Sequence, residues 1–110
     1  MIRYTIECLP EDCPIKGNAM ASGDDAYDLA TEEEILAQLD NGNPWAWCCV
    51  RVKAIAGDVF GEDYLGCCSY TSEEDFQRGG YFESMKEQAR ADLERKLESA
   101  RLAMAEEVQP

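Results

Sequence analysis

Two stretches decide the fold: Trp45-Ala46-Trp47-Cys48-Cys49-Val50-Arg51-Val52-Lys53-Ala54 and Tyr64-Leu65-Gly66-Cys67-Cys68-Ser69-Tyr70. Both are rich in β-branched and aromatic residues and alternate with a period of two, which predicts a pair of antiparallel strands. The segment between them, Ile55 to Asp63, holds Gly57 and Gly61 and is expected to form a long hairpin loop. If Ala46, Cys48, Val50, Val52 and Ala54 lie under helices, Trp45, Trp47, Cys49, Arg51 and Lys53 share the other side as an aromatic and cationic stripe. In the opposite arrangement the tryptophans face the core, since tryptophan is costly to leave exposed in a small domain.

Upstream, Met1 to Cys8 alternates Ile2, Tyr4, Ile6 and Cys8 with Arg3, Thr5 and Glu7, the pattern of a third strand. Pro10 and Pro14 stop it, and residues 9–23 read as an irregular loop. Thr31 with Glu34 forms a capping box for a helix over 31–39, with a start as early as 24 also open. Asn41-Gly42-Asn43-Pro44 ends that helix. Downstream, Ser72 with Asp75 caps a short helix that stops at Gly79-Gly80. From Tyr81, the positions Phe82, Met85, Ala89, Leu93, Leu97, Ala100 and Met104 recur at helical spacing, predicting an amphipathic helix of about 25 residues. The β-α-β-β-α order implies one α+β domain over 1–110, with a three-stranded, mostly antiparallel sheet, helices on one face and a long C-terminal helix. Ala100 and Met104 lie farther out than so small a domain covers, so the helix end is either frayed or a surface for a homodimer.

The 110 residues include 23 acidic and 10 basic side chains, for a net charge of −13, with six cysteines and no histidine. Lacking imidazole, the chain cannot build histidine-activated serine or cysteine nucleophiles, zincin-type metal sites or histidine proton relays. The acid is concentrated at the front: residues 1–44 carry 10 acidic and 2 basic groups, 45–71 carry 3 and 2, and 72–110 carry 10 and 6. That balance disfavours direct nucleic-acid binding. Glycine-rich phosphate loops are absent. The first ten residues carry Arg3 and Glu7 and no long apolar run, so neither a signal peptide nor a membrane anchor is expected, and a cytoplasmic location with free thiols follows.

Cys48-Cys49 and Cys67-Cys68 could be imagined around a zinc ion, but adjacent strand residues point to opposite faces, so each pair offers one sulfur per face. No metal or other cofactor is expected, and the cysteines read as small apolar side chains. The carboxylates of Asp24, Asp25, Asp28, Glu32 and Glu33 lack the alternating order that wraps calcium. They form either a solvated face or a recognition surface.

The block Trp45 to Val50, Tyr64 to Tyr70, Asp75-Phe76 and Gly79 to Phe82, with Gly17-Asn18-Ala19 and Ser22 to Asp25 upstream, resembles short acidic proteins encoded by phages and plasmids. In size and charge the chain is similar to anti-CRISPR and antirestriction proteins. The resemblance implies a non-enzymatic inhibitor that binds a basic nucleic-acid-handling host protein, such as a CRISPR effector complex, partly by charge mimicry. It transfers no catalytic residue. On this reading the candidate partner-binding residues are Asp24, Asp25, Asp28, Glu32, Glu33, Trp45, Trp47 and Arg51. A second reading, from another class, is a small structural or regulatory interaction domain that dimerises through its C-terminal helix.

Overall fold

A computed structural model describes residues 1–19 and 22–108; positions 20–21 of the expected 9–23 loop lie outside the described residues. The elements are β1 (Arg3–Leu9), α1 (Asp25–Asp40), a 3-10 turn (Pro44–Ala46), β2 (Cys48–Ala56), β3 (Val59–Cys68), α2 (Glu73–Arg78) and α3 (Tyr81–Val108). The fold is α+β, and its sheet runs β1-β2-β3, antiparallel throughout.

The hairpin is tighter than the spacing predicts. Ala56 pairs with Val59, leaving Gly57 and Asp58 as a two-residue turn, and Gly57 takes φ +61°. A positive φ at the first loop position is what a II′ turn requires and what glycine supplies without steric cost. The strands therefore run on through Ile55, Ala56, Val59 and Phe60, where a long loop was expected. At its other end, β2 starts three residues later than the alternation implies. Pro44 opens a 3-10 turn capped by Asn43, whose side-chain oxygen accepts from the Trp45 amide at 3.2 Å.

One sheet face carries the core. Cys48, Val50, Val52 and Ala54 are buried with Cys68, Phe76, Met85, Ala89 and Leu93, and Tyr4, Ile6, Cys8 and Leu65 pack around them. The helix that covers this face approaches unusually closely. A methyl group built on Gly61 would stand 2.8 Å from Leu93 Cα and nearer still to the Ala89 carbonyl and the Leu93 nitrogen. Gly61 pairs with Ala54, so small residues on β2, β3 and α3 coincide where helix and sheet touch. Asp92 fixes the same junction by accepting from the Glu62 amide at 3.0 Å and pairing with Lys96 at 3.1 Å. These contacts hold its carboxyl below the usual range, the Glu62 amide contributing most.

Helices were expected on one face, but only α2 and α3 serve it. α1 seats instead on the 3-10 turn through a second, smaller cluster of Ile35, Ala46 and Trp47, joined by Cys13, Ile15, Ala19 and Leu39. The buried stripe of α3 ends at Leu93. Beyond it Leu97 is 42% exposed and Met104 67% exposed. The projecting helix stretches the molecule to 69 × 24 × 22 Å and raises its accessible surface to 7414 Å², about a fifth above the scaling for a compact protein of this mass. Among the described residues, no helix is long and apolar enough to cross a membrane.

Candidate functional site

α1 begins at Asp25 because Asp24 caps it: the Asp24 carboxylate accepts from the Ala26 and Tyr27 amides at 3.1 and 3.2 Å. The earlier of the two possible starts is therefore the real one. Its consequence is a surface that a helix over 31–39 would not reveal. Asp25, Leu29, Glu33, Leu36 and Asp40 recur at spacings of 4, 4, 3 and 4, which on a helix is one continuous stripe. All five are exposed, Leu29 at 55% and Leu36 at 49%. Carboxylates thus alternate with uncovered leucines along roughly 24 Å of helix at 1.5 Å per residue.

The charge of this helix is uncompensated. α1 carries Asp25, Asp28, Glu32, Glu33, Glu34 and Asp40 and no basic residue. Every ion pair among the described residues lies elsewhere, on the open face of the sheet or along α3. On that open face Arg51 pairs with Glu7, Lys53 reaches Glu7 at 3.2 Å, and Arg51 lies 5.9 Å from the Tyr64 ring centroid. The Arg51 hydrogen bond holds the Glu7 carboxyl below its ordinary range.

The expected partner-binding residues therefore separate. Asp25 and Glu33 stand on the exposed stripe. Asp24 is occupied as the helix cap, Asp28 accepts from the Ser22 hydroxyl at 2.7 Å, and Glu32 accepts from the Gly17 amide at 3.1 Å. These three hold the helix and its approach segment in place. The aromatic stripe does not form. Cys49, Arg51 and Lys53 do share the open face, but the 3-10 turn breaks the alternation before β2, so Trp45 and Trp47 do not join them. Trp47 is only 7% exposed, and its indole donates to the Cys13 carbonyl at 2.7 Å. Trp45 stacks on Phe76 at 5.9 Å within the main core. Leu29, Leu36 and Asp40 are exposed residues of this stripe that sequence reasoning missed; following the helical period from Asp25 through to Asp40 would have found them.

The cysteines gather at one end of the sheet, and their expected thiol state is only partly met. Cys13 and Cys67 form a disulfide, and Cys8, Cys48, Cys49 and Cys68 are free. Cys67 sits where the pairing of β2 and β3 shifts register, with φ +54°. The Glu11 carboxylate brackets the crosslink, accepting from the Cys13 amide at 2.9 Å and the Cys67 amide at 2.6 Å. Those two amides hold the Glu11 carboxyl below its usual range, Cys13 contributing most. Burial raises the free thiols: Cys48 is pushed far up, and Cys68 to about 11. Among the described residues, no three Cys, Asp or Glu side chains converge to hold a metal ion.

Comparison with protein-family models, with curated proteins and with solved structures returned no match to this chain.

Proposed function

We propose that the chain is a non-enzymatic counter-defence inhibitor of the kind carried by phages and plasmids. It binds a basic nucleic-acid-handling protein complex of the host, with a CRISPR effector as the leading class of target. The observation that carries this reading is the unpaired charge of α1, interleaved with Leu29 and Leu36 on one exposed stripe. Three of the six carboxylates, Asp25, Glu33 and Asp40, stand on the stripe, one per about 8 Å over roughly 24 Å of helix, against one phosphate per about 3.4 Å along a DNA strand. Lysine and arginine side chains arranged for a nucleic-acid backbone would meet unpaired negative charge here, and the leucines add the apolar contact that charge alone lacks. The tryptophans and Arg51 drop out of the contact set.

The test is capture from nuclease-treated bacterial lysate by the wild type and by two variants, Asp25→Asn/Glu33→Gln/Asp40→Asn and Leu29→Ala/Leu36→Ala. A nucleic-acid-binding complex held by the wild type, released by salt and lost with both variants supports the reading. Equal capture by the charge variant, or none by the wild type, contradicts it.

A further inference from the structure

α1 seats on Ala46 and Trp47 at the 3-10 turn and on the segment that the disulfide tethers. Cys13, Ile15 and Ala19 complete the small cluster around Ile35 and Trp47. The Cys13 carbonyl receives the Trp47 indole, and the Gly17 amide and the Ser22 hydroxyl hold Glu32 and Asp28 of the helix. α1 has no place on the main core, whose buried residues all belong to the sheet, α2 and α3. The crosslink to β3 spans 54 residues, joining the segment that seats α1 to the sheet. Cys67 is exposed, whereas Cys48 and Cys68 are buried.

We propose that the Cys13–Cys67 disulfide is a redox latch that seats the acidic helix: oxidised, it holds residues 11–19 and α1 against the sheet, and reduced, it lets them open together while the sheet and α3 stay folded. The biological use of the latch rests on the inhibitor reading, since it would govern how well ordered the α1 stripe is when it meets its partner. The latch itself does not depend on any partner. A dithiol reductant supplies the chemistry. Its thiolate attacks the exposed Cys67 sulfur, the Sγ–Sγ bond breaks, and the electron pair leaves on Cys13, which takes up a proton. The reductant's second thiolate then closes on its own first sulfur, releasing Cys67 as a thiolate that is protonated in turn. Two electrons have moved, the protein has gained two thiols and the reductant has become a disulfide. The four other cysteines are less suited to this exchange: Cys48 and Cys68 are buried, and desolvation raises all four thiols.

Hydrogen exchange read by mass spectrometry on the full chain, with and without dithiothreitol, tests the latch. Amides of residues 22–40 are expected to exchange at least tenfold faster after reduction, while those of β2, β3 and the first half of α3 keep their protection. Cys13→Ser should reproduce the reduced pattern without dithiothreitol and should not respond to it. Unchanged protection of α1 on reduction overturns the proposal, and so does loss of protection throughout the sheet. Neither outcome depends on target binding, so failure of the latch and failure of the inhibitor reading remain distinguishable.

Discussion

Replacing Gly61 with alanine adds one methyl group at the tightest point of the molecule. The new carbon would stand 2.8 Å from Leu93 Cα and closer to two further backbone atoms of α3, where carbon contacts settle at about 3.5–4.0 Å. These neighbours cannot rotate away as a side chain would, so the helix must retreat by roughly 1 Å. A gap of that size forfeits about a quarter to a half of each dispersion contact it opens, and here it opens beneath Met85, Ala89 and Leu93, all buried. Overpacking of this kind costs about 1–3 kcal/mol, and a clash with backbone belongs at the upper end. A loss of about 3 kcal/mol lowers Tm by roughly 10–20 °C in a domain of this size. Thermal and urea unfolding, followed by far-UV circular dichroism, measure it. Ala89→Gly should fail to rescue the variant, because the obstruction is the Ala89 carbonyl rather than its methyl group. A Gly61→Ala protein with unchanged Tm would refute the close approach of α3 to β3, and with it the packing of the main core.

Further outcomes follow from the same geometry. Asp92→Asn should lower stability at neutral pH. Because the Asp92 carboxyl lies below its ordinary value of 3.8, its contribution is fully present above that value and lost as pH falls through the lowered one. The difference in unfolding midpoint between wild type and variant should therefore shrink below that range. Asp24→Ala removes the cap of α1 and should cost about 1 kcal/mol, read as faster amide exchange at the start of the helix with the sheet unaffected. Substituting Asp25, Glu33 and Asp40 together should change stability by less than about 0.5 kcal/mol per site, so any lost binding reports on contact rather than folding. Thiol titration of the oxidised chain in denaturant should find four reactive groups, and six after reduction, matching one disulfide and four free cysteines.

The strands, the short α2 and the core stripe of α3 were legible because each carries its own period: Cys48, Val50, Val52 and Ala54 in twos, and Phe82, Met85, Ala89 and Leu93 in threes and fours. What escaped depended on local geometry that overrides periodicity. Ile55 to Asp63 reads as a loop because its two glycines look like paired breakers, yet Gly57 makes the turn while Gly61 admits the helix. Trp45 and Trp47 continue the alternation of β2 in sequence, but Pro44 starts a 3-10 turn that rotates them out of it. Asp24 carries its helix-start signal on the side chain, and Thr31 with Glu34 offers a second signal about two turns later. The Cys13–Cys67 bond lay beyond reach because its partners are brought together only when the loop folds back on β3. Of the candidate site, the acidic helix was visible and its leucines were not, since Leu29 joins Leu36 and Glu33 on one stripe only once the helix is extended back to Asp25.

The α1 stripe is proposed to occupy basic sites meant for nucleic acid. The most direct test is competition: a labelled nucleic acid bound to the captured host complex is titrated with the chain, at low and at high salt, and its release is followed by fluorescence anisotropy. The account predicts displacement that weakens steeply as salt rises and disappears with the Asp25→Asn/Glu33→Gln/Asp40→Asn variant. Nucleic acid that stays bound while the chain saturates the complex, or displacement equally strong with the neutralised stripe, would contradict it.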